Sequence, residues 1–543
     1  MSRRPSGASP IEQRVAAAGP PEPRPLAGLL GRLAAAGLLA AAVDAPTAGL
    51  SVLGVTEDSR GAGDGRLFVA VPGFHVDGHD FAGRAEAAGA AAALVEHEVP
   101  GLGIPQFEVV DARRALAVAA DWWYGEPSRR LGVVGVTGTD GKTTTSFLAA
   151  AALEASGLRV GLVGTVETRL GGLRERHEAH VTTPSAPELQ ATLAAMVEAG
   201  DDAAVLETTS HALELGRVLG VAYDAAVFTN LTHEHLELHG TFERYREAKG
   251  RLFTALAVGP SNPRKRVGGH PWPKVAVVNA DDPNRTWFER AAAEAGARVV
   301  RYGWSPDAEV RATAAEEDLR CLRVAYAAPS GTGELELRLA GRFNVHNALA
   351  AVALGEALGL PPASVRAGLA SVPGVPGRME RIAQGQPFSV IVDYAHSPAS
   401  LQGVLEILAP LARQSGGGLI AVFGSAGERD TAKRAVMGRI AGERCRLVVA
   451  TDEDPRGEDG AAIVAEIVGG AVGAGRIEGV DVLGIPNRRA AIAAAFERAR
   501  PGDVVLLAGK GHEPTILYAT GAIPWDEAGV ARETLAAMGF RVG

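Results

Sequence analysis

A glycine-rich stretch with one lysine is the most chemically specific feature of the sequence. It runs from Gly135 to Thr144 as GVTGTDGKTT, between a short apolar run and a helical pattern. In such a loop the backbone N–H groups point inward and cradle phosphates, while Lys142 can bridge the outer phosphates and the Thr143 hydroxyl can hold Mg²⁺. Five residues separate Gly135 from Gly141, one more than the common spacing. A turn that binds nothing is the alternative, but Gly-Lys-Thr at a helix start predicts a nucleotide site.

Acidic and histidine side chains follow two further apolar runs. Glu207 comes directly after the run 203–206, and a carboxylate at the end of a parallel strand beside a phosphate loop can bind Mg²⁺. A second group lies within seven residues and consists of His233, Glu234, His235, Glu237 and His239. From residue types alone this group is compatible with a zinc site or with a solvated polar loop.

Apolar runs alternate with helical stretches around these features. The runs are 67–71 and 91–95, then 132–136, 160–163, 203–206, 225–228 and 275–278, and finally 389–392, 419–423, 447–450 and 504–507. Strands that alternate with helices predict largely parallel sheets in an α/β protein. We therefore divide the chain into a disordered tail at 1–24, an N-terminal domain at 25–127, a central domain at 128–373 with a surface insertion at 258–273, and a C-terminal domain at 374–543.

The bulk properties exclude several classes of protein. The 543 residues predict roughly two to four domains. The net charge of −9 argues against general nucleic-acid binding. Two cysteines, Cys321 and Cys445, argue against a disulfide scaffold and favour the reducing cytoplasm. Residues 1–24 lack the apolar core of a signal peptide. The apolar stretch 25–43 is interrupted by Arg32, so we expect it to form an amphipathic helix rather than a membrane span.

Several motifs resemble those of the Mur ligase family. Gly138-Thr139-Asp140-Gly141-Lys142-Thr143-Thr144 is similar to the family's GTNGKTT loop, with Asp140 in place of Asn. The stretch Asn230–Gly240, NLTHEHLELHG, is similar to the family's NLxxDHLDxHG, with Glu234 and Glu237 in place of Asp. Tyr245–Lys249, YREAK, matches the Y-x-x-A-K that follows. The resemblance extends from about Ala27 to the C-terminus.

Three further motifs follow in family order: Gly341–Ala350, which resembles the family's domain-junction motif, then Gly377–Arg381 and Asp393–Pro398. Four others resemble the MurE branch of this family, which adds the third residue of the peptide: Asp58-Ser59-Arg60, Gly424–Asp430, Thr451–Arg456 and Gly509–Glu513. The resemblance implies an N-terminal UDP-binding α/β domain, a central P-loop ATPase domain with a mainly parallel sheet, and a C-terminal Rossmann-like α/β domain.

The resemblance also implies roles for individual residues. ATP would be bound by Gly138, Thr139, Asp140, Gly141, Lys142, Thr143, Thr144, Asn347, Arg378 and Asp393. Mg²⁺ would be held by Thr143, Glu207, His235 and Lys249, the last as N6-carboxylysine, a carbamate made with CO₂. The catalytic residues would be Lys142, Lys249 and His235. The UDP-linked substrate would be held by Ser59, Thr182, Thr183, Thr209 and Arg217.

The incoming amino acid would be bound by residues of the C-terminal domain. These are Arg429, Glu453, Asp454, Pro455, Arg456, Gly509 and Glu513. Arg456 could pair with a distal carboxylate, whereas Asp454, where diaminopimelate-adding members typically have Asn, could instead favour a distal ammonium. The residues leave meso-diaminopimelate, ornithine and lysine open, and Arg456 favours diaminopimelate.

The implied activity is an ATP-dependent ligation in the synthesis of peptidoglycan precursors. A diamino acid would be added to UDP-N-acetylmuramoyl-L-alanyl-D-glutamate through an acyl phosphate, by a cytoplasmic monomer that binds no nucleic acid. One alternative is another ligase on the same scaffold, such as a folylpolyglutamate synthetase. The other is a P-loop ATPase switch or binding protein without ligase chemistry.

Overall fold

The computed structural model describes residues 8–20, 22–41, 49–73, 76–176, 182–232, 236–257, 265–319 and 321–541. Over these residues the chain forms three α/β units in sequence order, as the alternation of apolar runs predicts. None of the helices in these ranges combines the length and hydrophobicity that crossing a bilayer requires.

The N-terminal unit is a four-stranded parallel sheet covered by helices. Its strands are β3 (Val55–Thr56), β4 (Leu67–Val69), β5 (Ala92–Val95) and β6 (Gln106–Glu108), paired in that order. Its helices are α2 (Ala27–Ala35), α3 (Ala82–Ala88) and α4 (Ala112–Trp123). A separate two-stranded sheet joins β1 (Arg24–Pro25) to β2 (Ser51–Val52). Apolar side chains fill both faces of the larger sheet, as buried parallel strands require.

The first helix of the chain, α1 (Pro10–Ala17), corrects the expectation that residues 1–24 are a disordered tail. Ser9 and Glu12 form a capping box, which satisfies backbone N–H groups at the helix start. Ile11 is buried in the core of the central domain rather than that of the N-terminal domain. The tail was predicted from composition alone, and composition does not register a short capped helix with one apolar anchor.

The central domain is built on an eleven-stranded sheet. Its strands are β7 (Gly132–Thr137), β8 (Val160–Val163), β9 (Glu167–Leu170), β10 (Leu173–Arg176), β11 (Ala203–Glu207), β12 (Ala225–Phe228), β15 (Val275–Asn279), β16 (Arg298–Gly303), β17 (Val310–Glu317), β18 (Leu322–Ala328) and β19 (Gly331–Leu337). The spatial order is β10-β9-β8-β11-β7-β12-β15-β16-β17-β18-β19. From β8 through β17 neighbours are parallel, and antiparallel hairpins extend both edges.

Helices cover both faces of this sheet. They are α5 (Lys142–Ala155), α6 (Ala186–Glu198), α7 (Ser210–Glu214), α8 (Leu236–His239), α9 (Phe242–Thr254), α10 (Arg285–Glu294), α11 (Asn344–Leu358) and α12 (Pro362–Ser371). Strand β7 lies between β11 and β12, so its carboxyl end is flanked by the carboxyl ends of two strands that come later in the chain. Ligands of open α/β sheets bind at such an edge.

The C-terminal domain is a six-stranded sheet, parallel except for one edge strand. Its strands are β20 (Glu380–Ile382), β21 (Ser389–Asp393), β22 (Leu419–Phe423), β23 (Leu447–Ala450), β24 (Val482–Gly484) and β25 (Val504–Ala508), in the spatial order β20-β21-β25-β22-β23-β24. A hairpin of β26 (Thr515–Tyr518) and β27 (Gly521–Pro524) follows. The helices are α13 (Pro398–Gln414), α14 (Ala432–Arg444), α15 (Gly460–Gly473), α16 (Arg488–Arg498) and α17 (Glu527–Ala537).

Two local expectations differ from the structure. The helix expected over 25–43 is the shorter α2, because Gly37 adopts φ 65° and ends it as a left-handed cap. The surface insertion expected at 258–273 is only partly at the surface. Over 265–273 it forms the hairpin β13 (Arg266–Val267) and β14 (His270–Pro271), and Trp272 is buried against Gly132 of β7. Residues 258–264 lie outside the described ranges.

A buried carboxyl on α4 makes stability depend on pH. Burial raises the pKa of Asp121 to about 7, and the nearest cation, Arg32, is 4.0 Å away. Between the unfolded value near 4 and 7, the folded state binds a proton that the unfolded chain does not, so stability falls as pH rises through this window. We expect Asp121→Asn to raise the unfolding temperature at pH 8 by roughly 2–4 °C, about 1 kcal/mol, with a clearly smaller gain at pH 5, near the lower end of this window. Thermal melts at both pH values test this, and an equal gain at both would contradict it.

Candidate active site

The glycine-rich loop connects β7 to α5 at the carboxyl edge of the central sheet. Gly138 has φ 152° and Gly141 has φ 79°, conformations that favour glycine. A Cβ at Gly138 would lie 1.8 Å from the Thr229 hydroxyl oxygen, and one at Gly141 would lie 2.3 Å from Asn347 Oδ1. Neighbouring residues therefore leave no room for a side chain at either position, and the loop can adopt this shape only with glycine at both.

Hydrogen bonds from the two residues that follow β12 fix the far side of the loop. The Asp140 amide donates to Asn230 Oδ1 at 2.9 Å, and the Asp140 carbonyl accepts the Thr229 hydroxyl at 2.6 Å. The Asp140 side chain is exposed, and none of the hydrogen bonds described for this loop uses its carboxylate. Replacement of the family's Asn by Asp140 thus leaves the shape of the loop intact.

Lys142 is the first residue of α5 and folds over the loop. Its Nζ donates to the Gly138 carbonyl at 3.0 Å and to the Thr139 carbonyl at 2.7 Å. Thr143 and Thr144, the next two residues of the helix, are buried. The positive end of the helix dipole and the lysine thus face the same small space, where a phosphate would be favoured.

Glu207 ends β11, the neighbour of β7, and points at the same helix start. Its Oε2 accepts the Thr143 hydroxyl at 3.1 Å and the Thr165 hydroxyl at 2.7 Å. Burial raises the pKa of Glu207, and the charges of Lys142 and Arg378 oppose that rise. A carboxylate buried among hydroxyl groups beside a phosphate loop has the oxygen donors that Mg²⁺ prefers, so Thr143 and Glu207 fit the metal role expected of them.

Lys249 reaches the loop from α9. It is 1% exposed, its Nζ donates to the Gly138 carbonyl at 2.6 Å, and the same nitrogen lies 4.5 Å from the centre of the Tyr245 ring. Tyr245 is itself buried, with its hydroxyl 3.2 Å from the Thr139 hydroxyl. The Y-x-x-A-K stretch therefore packs directly on the phosphate loop, whereas His235 lies outside the described residues.

The threonines expected to hold the UDP-linked substrate surround Glu207. The Thr183 hydroxyl donates to the Glu207 carbonyl at 2.8 Å and lies 3.3 Å from the Thr209 hydroxyl. Thr182 is 3.0 Å from Thr165 through their hydroxyl oxygens. Arg217 Nη1 donates to the Thr183 carbonyl at 3.0 Å. The four residues thus lie on one side of the Thr143–Glu207 pair, and their role in holding the substrate stays a prediction.

Two residues of the N-terminal domain extend this side of the site. Ser59 is buried in a short 3₁₀ turn over Ser59–Gly61, which the Asp58 side chain caps. Burial raises the pKa of Glu57, just before this turn, and the charge of Arg217 opposes the rise. The Asp-Ser-Arg motif therefore follows a residue that faces Arg217 of the central domain.

The remaining residues expected to bind ATP are Asn347 of the central domain and Arg378 and Asp393 of the C-terminal domain. Asn347, on α11, is buried and accepts the Thr145 hydroxyl through Oδ1 at 3.2 Å. Arg378 stacks over the Tyr394 ring at 4.9 Å, and its Nε has no hydrogen-bond partner among the described residues. Asp393 ends β21, and its carboxylate accepts the amides of Met379 and Ala395. Arg378 therefore keeps hydrogen-bonding capacity for a ligand.

The loops after β23 and β25 bring the expected amino-acid residues together. Lys510 is fully buried and donates to Asp454 Oδ1 at 2.8 Å and to Glu513 Oε2 at 2.6 Å. A Cβ at Gly509 would lie 2.8 Å from Glu453 Oε2. This oxygen is buried, with no hydrogen-bond partner among the described residues. A buried carboxylate oxygen without a partner is a group that could accept a hydrogen bond from an incoming ammonium group.

The remaining expected residues lie on the same loops. Arg456 adopts φ 55°, and its Nε also lacks a hydrogen-bond partner within the described ranges. The Pro455 carbonyl lies 2.0 Å from the place of a Cβ on Gly427, so the loops after β22 and β23 touch. Arg429 is exposed two residues further along the β22 loop.

Sequence reasoning missed one residue that hydrogen-bonds Glu207 and one behind the loops expected to bind the amino acid. Thr165 follows strand β8 as Gly-Thr, and a polar residue at the carboxyl end of a buried strand is the signal that could have found it. Arg488, the first residue of α16, hydrogen-bonds both amino-acid loops. No local pattern marks it, because its partners are 20 to 39 positions away.

Family models match most of the chain. The description "Mur ligase family, catalytic domain" matches residues 51–124, "Mur ligase middle domain" matches 136–355, and "Mur ligase, glutamate ligase domain" matches 377–511. These three matches fall in the three structural units in order.

Sequence relatives and a solved structure match this chain over nearly its full length. The chain is 49% identical to UDP-N-acetylmuramyl-tripeptide synthetase of Roseiflexus sp. (strain RS-1), over 91% of this chain and 96% of the relative. It is 42% identical to UDP-N-acetylmuramoyl-L-alanyl-D-glutamate--2,6-diaminopimelate ligase of Geobacter metallireducens, over 90% and 94%. A solved structure of a ligase with the latter name superposes with a TM-score of 0.65 at 30% identity, covering 92% of this chain and 98% of that one.

The fold and site define a P-loop enzyme whose nucleotide site faces a second α/β domain. The chain belongs to the Mur ligase family. Members of this family are ATP-dependent amide ligases, and the predicted fold class, family and enzyme class are confirmed.

Proposed function

We propose that the chain uses ATP to join meso-diaminopimelate to the D-glutamate carboxyl of UDP-N-acetylmuramoyl-L-alanyl-D-glutamate. The observation that carries this proposal is the convergence of three groups at one edge of the central sheet: Lys142 on the phosphate loop, the Thr143–Glu207 pair, and the Thr183–Arg217 pair. The printed names of the relatives describe tripeptide synthesis and diaminopimelate ligation, which supports the same substrates here.

The reaction requires activation of a carboxylate, because oxide is a very poor leaving group for an amine to displace. A carboxylate oxygen of the substrate attacks the γ-phosphorus of ATP, the bond to the β-phosphate oxygen breaks, and ADP leaves. The amine then attacks the acyl carbon, the carbon–oxygen bond to phosphate breaks, and the nitrogen loses a proton. Lys142 and the loop amides offset the charge that develops on the phosphoryl oxygens.

Mg²⁺ fits the oxygen-rich corner between the phosphate loop and β11, with Thr143 and Glu207 as its protein ligands. A bound Mg²⁺ would neutralise charge on the phosphates of ATP.

We further propose that Lys249 carries a carbamate formed from its neutral amine and CO₂ with loss of a proton. Its burial beside Gly138 supports this role, since the modification would replace a cation near the phosphates by an anion able to assist a metal ion.

The choice of diaminopimelate over ornithine and lysine follows from two charges. Asp454 Oδ1 already accepts Lys510 Nζ at 2.8 Å and the Leu517 amide at 2.9 Å, so Asp454 is balanced within the protein. Arg456 retains an Nε without a partner in the described part of the chain. Beside its distal ammonium, diaminopimelate carries a distal carboxylate that can pair with this guanidinium, whereas ornithine and lysine offer the distal ammonium alone.

We expect Arg456→Ala to lower kcat/KM for diaminopimelate by about 10²-fold, because the distal carboxylate of the substrate would lose its charged partner. We expect the same variant to lower kcat/KM for ornithine by less than about 3-fold. Because Arg456 has φ 55°, Arg456→Gly tests the loss of the side chain without backbone strain. Arg444→Ala, a partly exposed arginine of the same domain, is the control. Equal losses with both amino acids would refute the assignment of diaminopimelate.

The direct test is phosphate release with UDP-N-acetylmuramoyl-L-alanyl-D-glutamate, measured with and without each of the three diamino acids. Phosphate release that requires both acceptor and diaminopimelate, with formation of the tripeptide product, is the expected result. ATP hydrolysis indifferent to any amino acid would instead indicate a P-loop ATPase without ligase chemistry. We further propose that the chain acts as a monomer in the cytoplasm. Gel filtration of the same preparation tests the oligomeric state, and fractionation of cells tests the location.

A further inference from the structure

A fully buried arginine lies behind the amino-acid loops of the C-terminal domain. The Arg488 side chain has 0% exposure and is paired with Glu527, whose side chain also has 0% exposure. Arg488 Nε lies 2.9 Å from one carboxylate oxygen of Glu527, and Nη2 lies 2.7 Å from the other. Burying two charges is costly unless geometry and further hydrogen bonds compensate, so the other bonds of the guanidinium indicate what the pair does.

The remaining donors of Arg488 join two strand ends that are not neighbours. Nη1 donates to the Asp452 carbonyl at 3.0 Å, just after β23. Nη2 donates to the Ala508 carbonyl at 2.7 Å, the last residue of β25. Strand β22 lies between β23 and β25, so sheet hydrogen bonds cannot tie these ends together. The guanidinium does so across the carboxyl end of β22.

Both tied carbonyls immediately precede residues of the proposed amino-acid site. Glu453 and Asp454 follow Asp452, and Gly509 and Lys510 follow Ala508. We propose that Arg488 is a positioning residue, which sets the spacing of the two loops that receive the incoming amino acid. This inference rests on the proposed function only in assigning those loops to that substrate.

The geometry of the guanidinium group explains why position 488 is an arginine. A planar guanidinium offers five donors in a fixed fork and so can reach one carboxylate and two carbonyls at once, which an ammonium group on a flexible stem does less well. Glu527 starts helix α17, where a carboxylate is stabilised by the helix dipole. Trp525 Nε1 donates to Glu527 Oε2 at 2.6 Å, the oxygen that also accepts Arg488 Nε, and so helps to fix the carboxylate.

The chain offers a matched control at the opposite edge of the same sheet. Arg446 pairs with the buried Asp503 and donates to the Arg498 carbonyl at 2.7 Å. It thus joins the amino ends of the same strands, far along the sheet from the amino-acid loops. A lysine at either position keeps the charge and loses the fork.

The experiment compares Arg488→Lys with Arg446→Lys in the full-length protein, using the diamino acid that the wild type turns over. We expect Arg488→Lys to raise KM for the amino acid about 10-fold, with KM for ATP and for the UDP-linked dipeptide changed by less than about 2-fold. Arg446→Lys should leave all three KM values unchanged, although both variants unfold at lower temperature. Glu527→Gln, which keeps both carbonyl bonds of Arg488, should raise KM for the amino acid less than Arg488→Lys does.

An unchanged KM for the amino acid in Arg488→Lys, or a common rise in all three KM values, would overturn the positioning role. If Arg488→Lys does not fold, Glu527→Asp, whose shorter side chain draws the guanidinium away from the two carbonyls, decides by the same split between KM values, and absence of a selective rise in KM for the amino acid there overturns the proposal. Failure of the proposed function is separate, because it would appear as a wild type that turns over none of the three diamino acids.

Discussion

Replacing Lys142 by alanine is expected to lower kcat/KM for ligation by about 10³-fold, the scale of losing a preorganised charge that stabilises a transition state. The side chain lies over the phosphate loop, with its Nζ within hydrogen-bond distance of the Gly138 and Thr139 carbonyls. In phosphoryl transfer the charge of the transferred group spreads over its outer oxygens, and a cation fixed at a helix start stabilises that charge. Steady-state phosphate release with all three substrates measures the effect.

The Lys142 prediction requires that the variant keeps its fold. The side chain is half-buried, and its described hydrogen bonds end on two backbone carbonyls, so we expect thermal unfolding within about 2 °C of the wild type. Arg290→Ala, which removes an exposed cation from α10 of the same domain, should leave turnover unchanged. Turnover within a few-fold of normal in Lys142→Ala would remove the lysine from the phosphoryl-transfer step.

Replacing Lys249 by alanine is expected to lower turnover by about 10²- to 10³-fold and to allow partial rescue by formate or acetate. The cavity left in α9 would lie beside Gly138, where the buried Nζ now donates. A small carboxylate entering it would restore the negative charge that we assign to the carbamate. Activity measured across a series of acid concentrations, from formate to larger acids, tests both the charge and the size of the site.

The control for this rescue is a second buried lysine of the same domain. Lys265 is buried against Asp224 at 2.8 Å, away from the phosphate loop. Lys265→Ala should destabilise the protein because it leaves the Asp224 carboxylate buried without this partner, yet acids should not restore any activity that it loses. Full activity of Lys249→Ala, or rescue equally strong in Lys265→Ala, would contradict the carbamate proposal.

The features of the site that could be predicted from sequence follow either from a short stretch of chain or from the rule for parallel strands. The position of the glycine-rich loop between β7 and the start of α5 is visible in residues 132–143, although contacts with Thr229, Asn230 and Asn347 complete its shape. The buried parallel strands are continuous apolar runs with buried faces on both sides, and such runs are visible in sequence. The juxtaposition of Thr143 with Glu207, 64 positions apart, came from the rule that parallel strands present their carboxyl ends at one edge.

The parts that could not be predicted depend on contacts between distant segments. Arg488 lies at the start of an ordinary helix, and its role comes from carbonyls on two separate strands. Trp272 looked like part of a surface insertion because its neighbours are Pro, Gly, Lys and Arg, but it packs on Gly132, 140 positions earlier. The ion pair between Asp454 and Lys510 likewise joins two loops. From the sequence alone Asp454 could attract a distal ammonium of the substrate, but in the structure its charge is neutralised by this lysine.

The way the chain begins has a mechanical consequence for domain motion. Helix α1 is anchored in the central core by Ile11, and the chain then returns to pair β1 with β2 beside the N-terminal unit. That unit is therefore attached to the central one at two points, before β1 and again after α4, and a rigid body held at two points retains a single axis of rotation. The C-terminal unit is joined to the central one by a single covalent segment after α12, and the Arg176–Asp526 ion pair at 3.5 Å is a further contact between them. We therefore expect reorientation of the C-terminal unit to be less restricted by the covalent chain than that of the N-terminal unit, and to require that this ion pair break.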